Sequence, residues 1–334
     1  MKKLLSLILA LALAAALMGC GGGTDATPSP TPSAAVTTPS AAPEATPEAS
    51  AKPAAEKPAE DRSGAAITVP AEVNTIVSMA PSTTQVLVDL GLADKIVAID
   101  TNSEAYAEGI PADALRFDMM QPDVEKLVAL KPDIIFTSNI SAAGGEDPFQ
   151  PAINAGICVA NIPTSNTVED VKKDVLFIAQ CVDKPEEGQV LVDGMDDAIA
   201  KIEEIGKAIP EDERKTVLFE IASAPDIYSF GSGVFLNELI EILGAKNVLA
   251  DQEGWLAVTE ESAVAANPDV ILTNVNYIDD PVGEIKARAG WENVTAVKNG
   301  AVYSIDNGAS SLPNHHIADA LEEMAKAIYP DQYK

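Results

Sequence analysis

The chain offers few residues from which chemistry could be built. His315 and His316 are its only histidines, adjacent at the start of the last helical pattern. Neighbours on a helix project about 100° apart, so the pair is expected not to share one metal ion. A local hydrogen bond is the ordinary role for each, and His315 alone stands where it could touch a chelated metal from the edge of a cleft. No Ser/His/Asp set, cysteine cluster, His-x-x-x-His pair or phosphate loop occurs, which argues against catalysis and against a resident cofactor or protein-held metal. Of three cysteines, Cys158 and Cys181 lie in an apolar strand-like run and a helix-like run. They read as buried thiols, and the sequence leaves a disulfide between them open. With 51 Asp+Glu against 22 Lys+Arg, the formal charge of −29 excludes a nucleic-acid partner, whose binding rests on neutralised phosphates.

Two glutamates stand out by position. Glu125 opens a segment that runs through Pro132-Asp133 to Thr137, and Glu261 opens one that runs through Pro268-Asp269 to Thr273. A single offset of 136 residues aligns both Glu, both Pro-Asp pairs and both Thr. The shared physics is a helix that stops ahead of proline and a buried strand that starts just after it. The chain is therefore read as carrying an internal duplication.

The elements that must position these residues alternate. Strands are predicted at Thr75–Ala80, Ile96–Asp100, Asp133–Asn139 and Cys158–Pro163, then at Thr216–Ala222, Asn247–Ala250, Val270–Val275 and Val302–Asp306. Helical periods fall between them, at Thr83–Leu90, Val124–Leu130, Val168–Val182 and Leu236–Leu243. Such alternation predicts α/β architecture: two similar lobes, residues 67–185 and 210–334, each a parallel sheet covered by helices on both faces. Residues 186–209, with Val190, Met195, Ile199, Ile202 and Ile205 near helical spacing, predict one long helix joining the lobes. Open α/β sheets bind ligands beyond the carboxyl ends of their strands, so two facing lobes would make a cleft.

The N-terminus predicts a compartment. Lys2 and Lys3 precede an apolar run from Leu4 to Leu17, too short for a comfortable membrane span and followed by Met18-Gly19-Cys20. Leu17-Met-Gly-Cys20 resembles the lipobox of bacterial lipoproteins. That resemblance implies a signal peptide over residues 1–19 and a lipidated Cys20, placing the protein outside the cytoplasm, anchored to the outer face of the cell membrane. Residues 20–66, rich in Ala, Pro, Thr and Ser, cannot bury enough apolar surface to fold and are expected to act as a tether.

From residue 67 to about 330 the chain resembles the helix-linked solute-binding proteins of ABC importers for cobalamin, ferric siderophores and heme. The residues that carry the likeness are Ile76-Val-Ser-Met-Ala-Pro-Ser-Thr-Thr84, Val124-Glu-Lys-Leu127 through Pro132-Asp133, Phe230-Gly-Ser-Gly233 with Leu236-Asn-Glu-Leu-Ile240, Val297–Tyr303 and Ile317–Met324. The resemblance implies a monomer of two rigid lobes with a shallow cleft and no catalysis. It further implies that Glu125 and Glu261 dock onto arginines of a permease, which works with its ATPase.

The cleft is expected to be lined from loops after the strands and from the segments ahead of the two Glu helices. Its candidates are Ser82, Thr83, Met119, Met120, Ser138, Asn139, Phe230, Trp255, Asn276, Tyr277, Asn307, Ser310 and His315. Aromatics, amides and hydroxyls with almost no cations suit a bulky, weakly charged ligand, a corrinoid slightly better than a ferric siderophore complex. A surface sensor of the same fold, and less readily a chelatase-type enzyme, are the rival readings, because fold alone does not fix function.

Overall fold

The computed structural model describes residues 56–142 and 147–333. Residues 1–19, Cys20, the tether up to residue 55 and part of the loop after Ser138 lie outside the described residues.

The first lobe runs β1 (Ile76–Ser78), α1 (Pro81–Asp89), β2 (Ile96–Asp100), β3 (Leu115–Phe117), α2 (Val124–Leu130), β4 (Ile134–Ser138), α3 (Gln150–Asn154), β5 (Cys158–Ile162) and α4 (Val168–Cys181). Its five strands are parallel in the order β3-β2-β1-β4-β5. Helix α5 (Pro185–Ala208) follows. The second lobe contains β6 (Thr216–Glu220), β7 (Tyr228–Phe230), α6 (Phe235–Ile242), β8 (Lys246–Asn247), β9 (Trp255–Ala257), α7 (Glu260–Ala266) and β10 (Val270–Thr273). It closes with α8 (Pro281–Ala287), α9 (Thr295–Lys298), β11 (Val302–Ser304), α10 (Asn307–Ser311) and α11 (Ile317–Ile328). Its main sheet is again parallel, β11-β10-β6-β8, and β7 and β9 form a separate antiparallel pair. Central strands are apolar on both faces, as a sheet covered by helices requires: β1 and β10 are buried throughout, and β4 from Ile134 to Thr137.

The duplication predicted from sequence has a structural counterpart at every step. Asp123 caps α2 by accepting from the Lys126 N–H, and Thr259, 136 residues on, caps α7 by accepting from the Ser262 N–H. Each helix ends on a residue in the left-handed region, Lys131 at φ 49° and Asn267 at φ 45°. The proline that follows cannot continue a helix, and the next strand begins at once.

Two helices cross between the lobes, where the sequence predicted one. The start of α4 packs into the second lobe's core through Val168 and Val171, while Val175, Phe177 and Ile178 belong to the first. A capping box fixes that start: Thr167 Oγ1 accepts from the Asp170 N–H at 3.0 Å and Asp170 Oδ2 from the Thr167 N–H at 3.2 Å. Such a cap contributes about 1 kcal/mol, and Glu238 of α6 accepts from the Val168 N–H at 2.8 Å. Helix α5 makes the reverse crossing, with Val192 in the first core and Met195, Ile199 and Ile202 in the second. Both of its ends rest on glycine contacts: a Cβ on Gly188 would lie 2.3 Å from Ala179 Cβ, and one on Gly206 would lie 2.3 Å from the Ile242 carbonyl oxygen.

Three expectations change. The tether does not extend to residue 66, because residues 57–66 are bound to the first lobe. Lys57 pairs with Asp183 at 2.7 Å, Arg62 with the buried Asp174 at 2.5 Å, and Asp61 accepts from the Asn161 N–H at 3.1 Å. Charge pairing to distant residues, rather than apolar burial, orders this polar stretch. Strand β8 is confined to Lys246–Asn247, shorter than the predicted Asn247–Ala250, since Asn247 turns its amide to the Phe230 carbonyl and the Asn237 side chain. Strands β3, β7 and β9, three residues each, were not anticipated; runs so short carry no readable alternation.

Cys158 and Cys181 are free thiols, both buried. No helix of the described residues is long and apolar enough to cross a membrane.

Candidate functional site

The carboxyl ends of the strands in the two lobes feed loops that meet along one seam. From the first lobe come the start of α1 and the turn at Thr101–Tyr106. Buried hydroxyls tie these together: Thr84 Oγ1 donates to Ser78 Oγ at 2.8 Å and lies 2.9 Å from Ser103 Oγ, while Ser103 bonds Asp100. From the second lobe come the loop after β10, helix α10 and the turn that leads into α11. Here Asn274 Nδ2 donates to Ser310 Oγ at 3.0 Å, and Asn307 Nδ2 donates to the Asn274 carbonyl at 2.7 Å, which ties the loop after β10 to α10.

Across the seam, Asn314 Nδ2 donates to Gln85 Oε1 at 2.8 Å. Tyr106 sits against Gly308 so closely that a Cβ there would lie 2.7 Å from its Oη. Burial, with the charge of Asp306 adding to it, pushes the Tyr106 phenol above its usual range, so it remains a donor. His315 Nε2 and His316 Nε2 lie 3.1 and 2.9 Å from Asp89 Oδ2. The two histidines therefore share a partner, contrary to the expectation from helical geometry, because they form the turn before α11 and not part of it.

Beside this seam lies a concavity of about 880 Å³. It is walled by Tyr106 of the first lobe and by Asn274, Asn276, Tyr303 and Asn307 of the second, with carboxylates from Asp279, Asp306 and Glu323. Its single cation, Lys326, pairs with Glu322 at 2.6 Å. Asn276 and Asn307 are thus brought together in one concavity.

The other candidates divide. Trp255 is 40% exposed and stands edge-on to Phe230, ring centroids 5.9 Å apart. Tyr277 is exposed, its Oη accepting from the Ser223 N–H at 2.9 Å, which joins the loops after β6 and β10. Met120 and Asn139 are exposed and Ser82 is half-buried. Met119, Thr83, Phe230 and Ser310 are buried and cannot touch a ligand in this conformation. Met119 instead packs in the first lobe's core with Phe117 and Leu127, Phe230 backs Trp255, and Ser310 holds the β10 loop. Ser138 lines a different hollow, about 510 Å³, between residues 61–68 and the ends of β4 and β5, and its Oγ is buried without a hydrogen-bond partner. Sequence reasoning did not anticipate Asp89 or Gln85. Neither carries a local signal, since each matters only through a partner more than 200 residues away.

Glu125 and Glu261 are each the second residue of their helix and both are exposed. Neither forms an ion pair among the described residues.

A family description, periplasmic binding protein, matches residues 76–309, most of the chain and both lobes. The chain belongs to the periplasmic binding protein family. An uncharacterized ABC transporter substrate-binding lipoprotein of Bacillus subtilis, YvrC, is 32% identical over 275 residues, covering 82% of this chain and 86% of that one. A vitamin B12-binding protein of Vibrio cholerae is 24% identical over 262 residues, covering 76% and 89%. In fold, the chain is similar to the Haemophilus influenzae molybdate-binding protein MolA, solved with molybdate bound: TM-score 0.71, 24% identity, 82% of this chain and 91% of that one. As a member of the family, the protein is the substrate-binding component of an ABC transporter and acts outside the cytoplasm, without catalysis. The resemblance read from the sequence motifs is borne out, as is the two-lobed parallel α/β fold.

Proposed function

We propose that this protein, anchored through a lipidated Cys20 once residues 1–19 are removed, captures a bulky, weakly charged chelate of the corrinoid or ferric siderophore type between its lobes. It passes that ligand to a permease through Glu125 and Glu261, working as a monomer on the outer face of the cell membrane. The observation that carries the ligand class is the charge of the inter-lobe concavity, where three carboxylates face one already paired lysine. An oxyanion needs converging cationic or N–H donors, and these carboxylates would repel it. Amides and tyrosines with an exposed indole nearby suit a ligand that has a polar fringe and an apolar face. The exposed, symmetry-related Glu125 and Glu261 suit a two-fold permease, one carboxylate to each subunit.

The test is native mass spectrometry of ligand co-purified with the full chain, followed by thermal shift against cobalamin, heme, ferric siderophores and molybdate. Stabilisation by a corrinoid or ferric chelate at micromolar concentration is expected. Stabilisation by molybdate and by no chelate would overturn the ligand class while leaving the transport role standing.

A further inference from the structure

We propose that Asp89, His315 and His316 form a divalent transition-metal site, for Zn²⁺ or an ion of similar preference, that ties the two lobes together. None of the three residues lines the ligand concavity, although the hollow beside His316 shares Asp306 and Glu323 with it. One ligating atom from each of the three residues lies within 4.8 Å of the others. The chemistry of the set, two imidazole nitrogens and one carboxylate oxygen, is that of zinc sites that keep one position open to water. Ligands at ~2.0–2.1 Å from a tetrahedral ion stand roughly 3.3 Å apart. Asp89 Oδ2 already lies 3.1 Å from His315 Nε2 and 2.9 Å from His316 Nε2, so small side-chain shifts would admit the ion.

The surroundings support the same reading. Asp319 Oδ2 lies 2.8 Å from His316 Nδ1, a carboxylate–histidine pair that fixes the ring with Nε2 facing Asp89. Metal-ligating histidines are oriented in this way by a second partner on the other nitrogen. His315 is nine-tenths buried and its Nδ1 has no partner, so the ring is held through Nε2 alone. Asp89 and His316 keep about a third of their side-chain surface in solvent, which leaves an entry path. That path opens near a hollow lined by Asp306, Asp319 and Glu323, whose negative field favours a cation. Asp89 ends α1 of the first lobe and the histidines precede α11 of the second, so a bound ion would cross-link the lobes without entering the concavity.

The two histidines are the chain's only ones, which makes them a clean reporter. The full chain, expressed without a histidine tag, labelled with ¹⁵N-histidine and stripped with chelator, would be titrated with Zn²⁺ by calorimetry and NMR, and with Co²⁺ by visible absorption. Expected are one equivalent bound, large shifts of the Nε2 resonances of both rings, and cobalt d–d bands of a four- or five-coordinate site. Asp89→Asn and His316→Gln should each abolish the saturable event, and Asp319→Asn should weaken it about ten- to a hundredfold. Circular dichroism of the metal-free variants separates loss of a ligand from loss of the fold, and either ligand variant suffices if the other fails to fold. Absence of stoichiometric binding would overturn the proposal. So would binding that Asp89→Asn and His316→Gln leave unchanged, since the ion would then sit on the acidic surface.

Discussion

Asp133 and Asp269 perform the same closure in the two lobes, each reaching from the Pro-Asp turn to a threonine at the start of its lobe's first strand, Thr75 just ahead of β1 and Thr216 opening β6. Asp133 Oδ2 accepts from the Thr75 N–H at 2.9 Å and the Thr75 hydroxyl at 3.0 Å. Asp269 Oδ2 accepts from the Thr216 N–H at 2.8 Å and the Thr216 hydroxyl at 2.7 Å. In return each aspartate's own N–H donates to the threonine carbonyl, at 2.9 and 3.0 Å. The pair locks the order of two neighbouring parallel strands, β1 with β4 and β6 with β10.

Removing either carboxylate strands backbone donors. Asp133→Ala and Asp269→Ala should each lower stability by about 1–2 kcal/mol, the scale of a partly buried donor left unpaired. Their effects should add, because the sites lie in different lobes. Urea unfolding of the two single variants and the double checks this.

The same carboxylate sets an acid limit. Burial pushes the Asp133 carboxyl up, but the N–H groups of Asn74 and Thr75 and the Thr75 hydroxyl outweigh it, leaving the group below its ordinary value of 3.8. A depressed folded value means that the contribution is present above about pH 4 and is lost as pH falls through the folded value. Asp133→Asn should therefore show a shallower loss of stability below about pH 4 than the parent, read from thermal melts across that range.

How far the sequence reached can be judged from these residues. The offset that aligned Pro132-Asp133 with Pro268-Asp269 was legible, and the structure adds at matching points two helix caps and two left-handed helix ends that the sequence had not named, because a duplicated turn repeats its local chemistry. The matching positions of Glu125 and Glu261, each the exposed second residue of its helix, were legible for the same reason. Residues joined only by the tertiary fold were not. Asp89 reads as an ordinary helix-end acid until His315 and His316 arrive from the far end of the chain. Arg62 lies in a stretch whose composition signals disorder, and only the buried Asp174 explains its order. Met119 and Phe230 were misjudged as cleft residues because an apolar side chain next to a loop looks alike whether it faces the core or the ligand.

Trp255 should report ligand. Trp291 is buried at 1% exposure and gives a constant background, so a saturable fluorescence change on adding ligand would come from Trp255. Trp255→Ala should weaken binding by about 1–3 kcal/mol if the indole stacks on the ligand. An unchanged dissociation constant would remove Trp255 from the ligand surface.

Charge reversal at the symmetric pair separates delivery from capture. Glu125→Lys and Glu261→Lys should bind ligand as tightly as the parent yet fail to support uptake, with the double variant no better than the worse single. Uptake at the parental rate in either variant would end the docking role. Lost ligand binding would move that glutamate into the cleft, and unimpaired binding in a strain that never takes the ligand up would favour a sensor.

The three cysteines should divide by reactivity and by place. Cys20→Ala should free the protein from membranes without unfolding it, as detergent partitioning would read. In that variant, burial, with the charge of Asp61 adding to it, pushes the Cys158 thiol up to about 11, and burial raises Cys181 further. At pH 8 only about one Cys158 in a thousand is then thiolate. Both thiols should resist a disulfide reagent in the native protein and react together once it is unfolded.

The glycine contacts at the two ends of α5 bear on how occupancy is announced. A helix seated at Gly188 against Ala179 of the first lobe and at Gly206 against the Ile242 carbonyl of the second has close contacts at both ends that resist sliding. If the lobes stay so held, ligand capture would cost little closing work, and no large rearrangement would advertise a filled cleft. Retention would then rest on contacts made in the open groove, so residence time and not lobe closure would decide which cargo lasts until the permease is met. A permease that must tell a loaded partner from an empty one would have to sense the cargo itself, exposed at the mouth between the lobes.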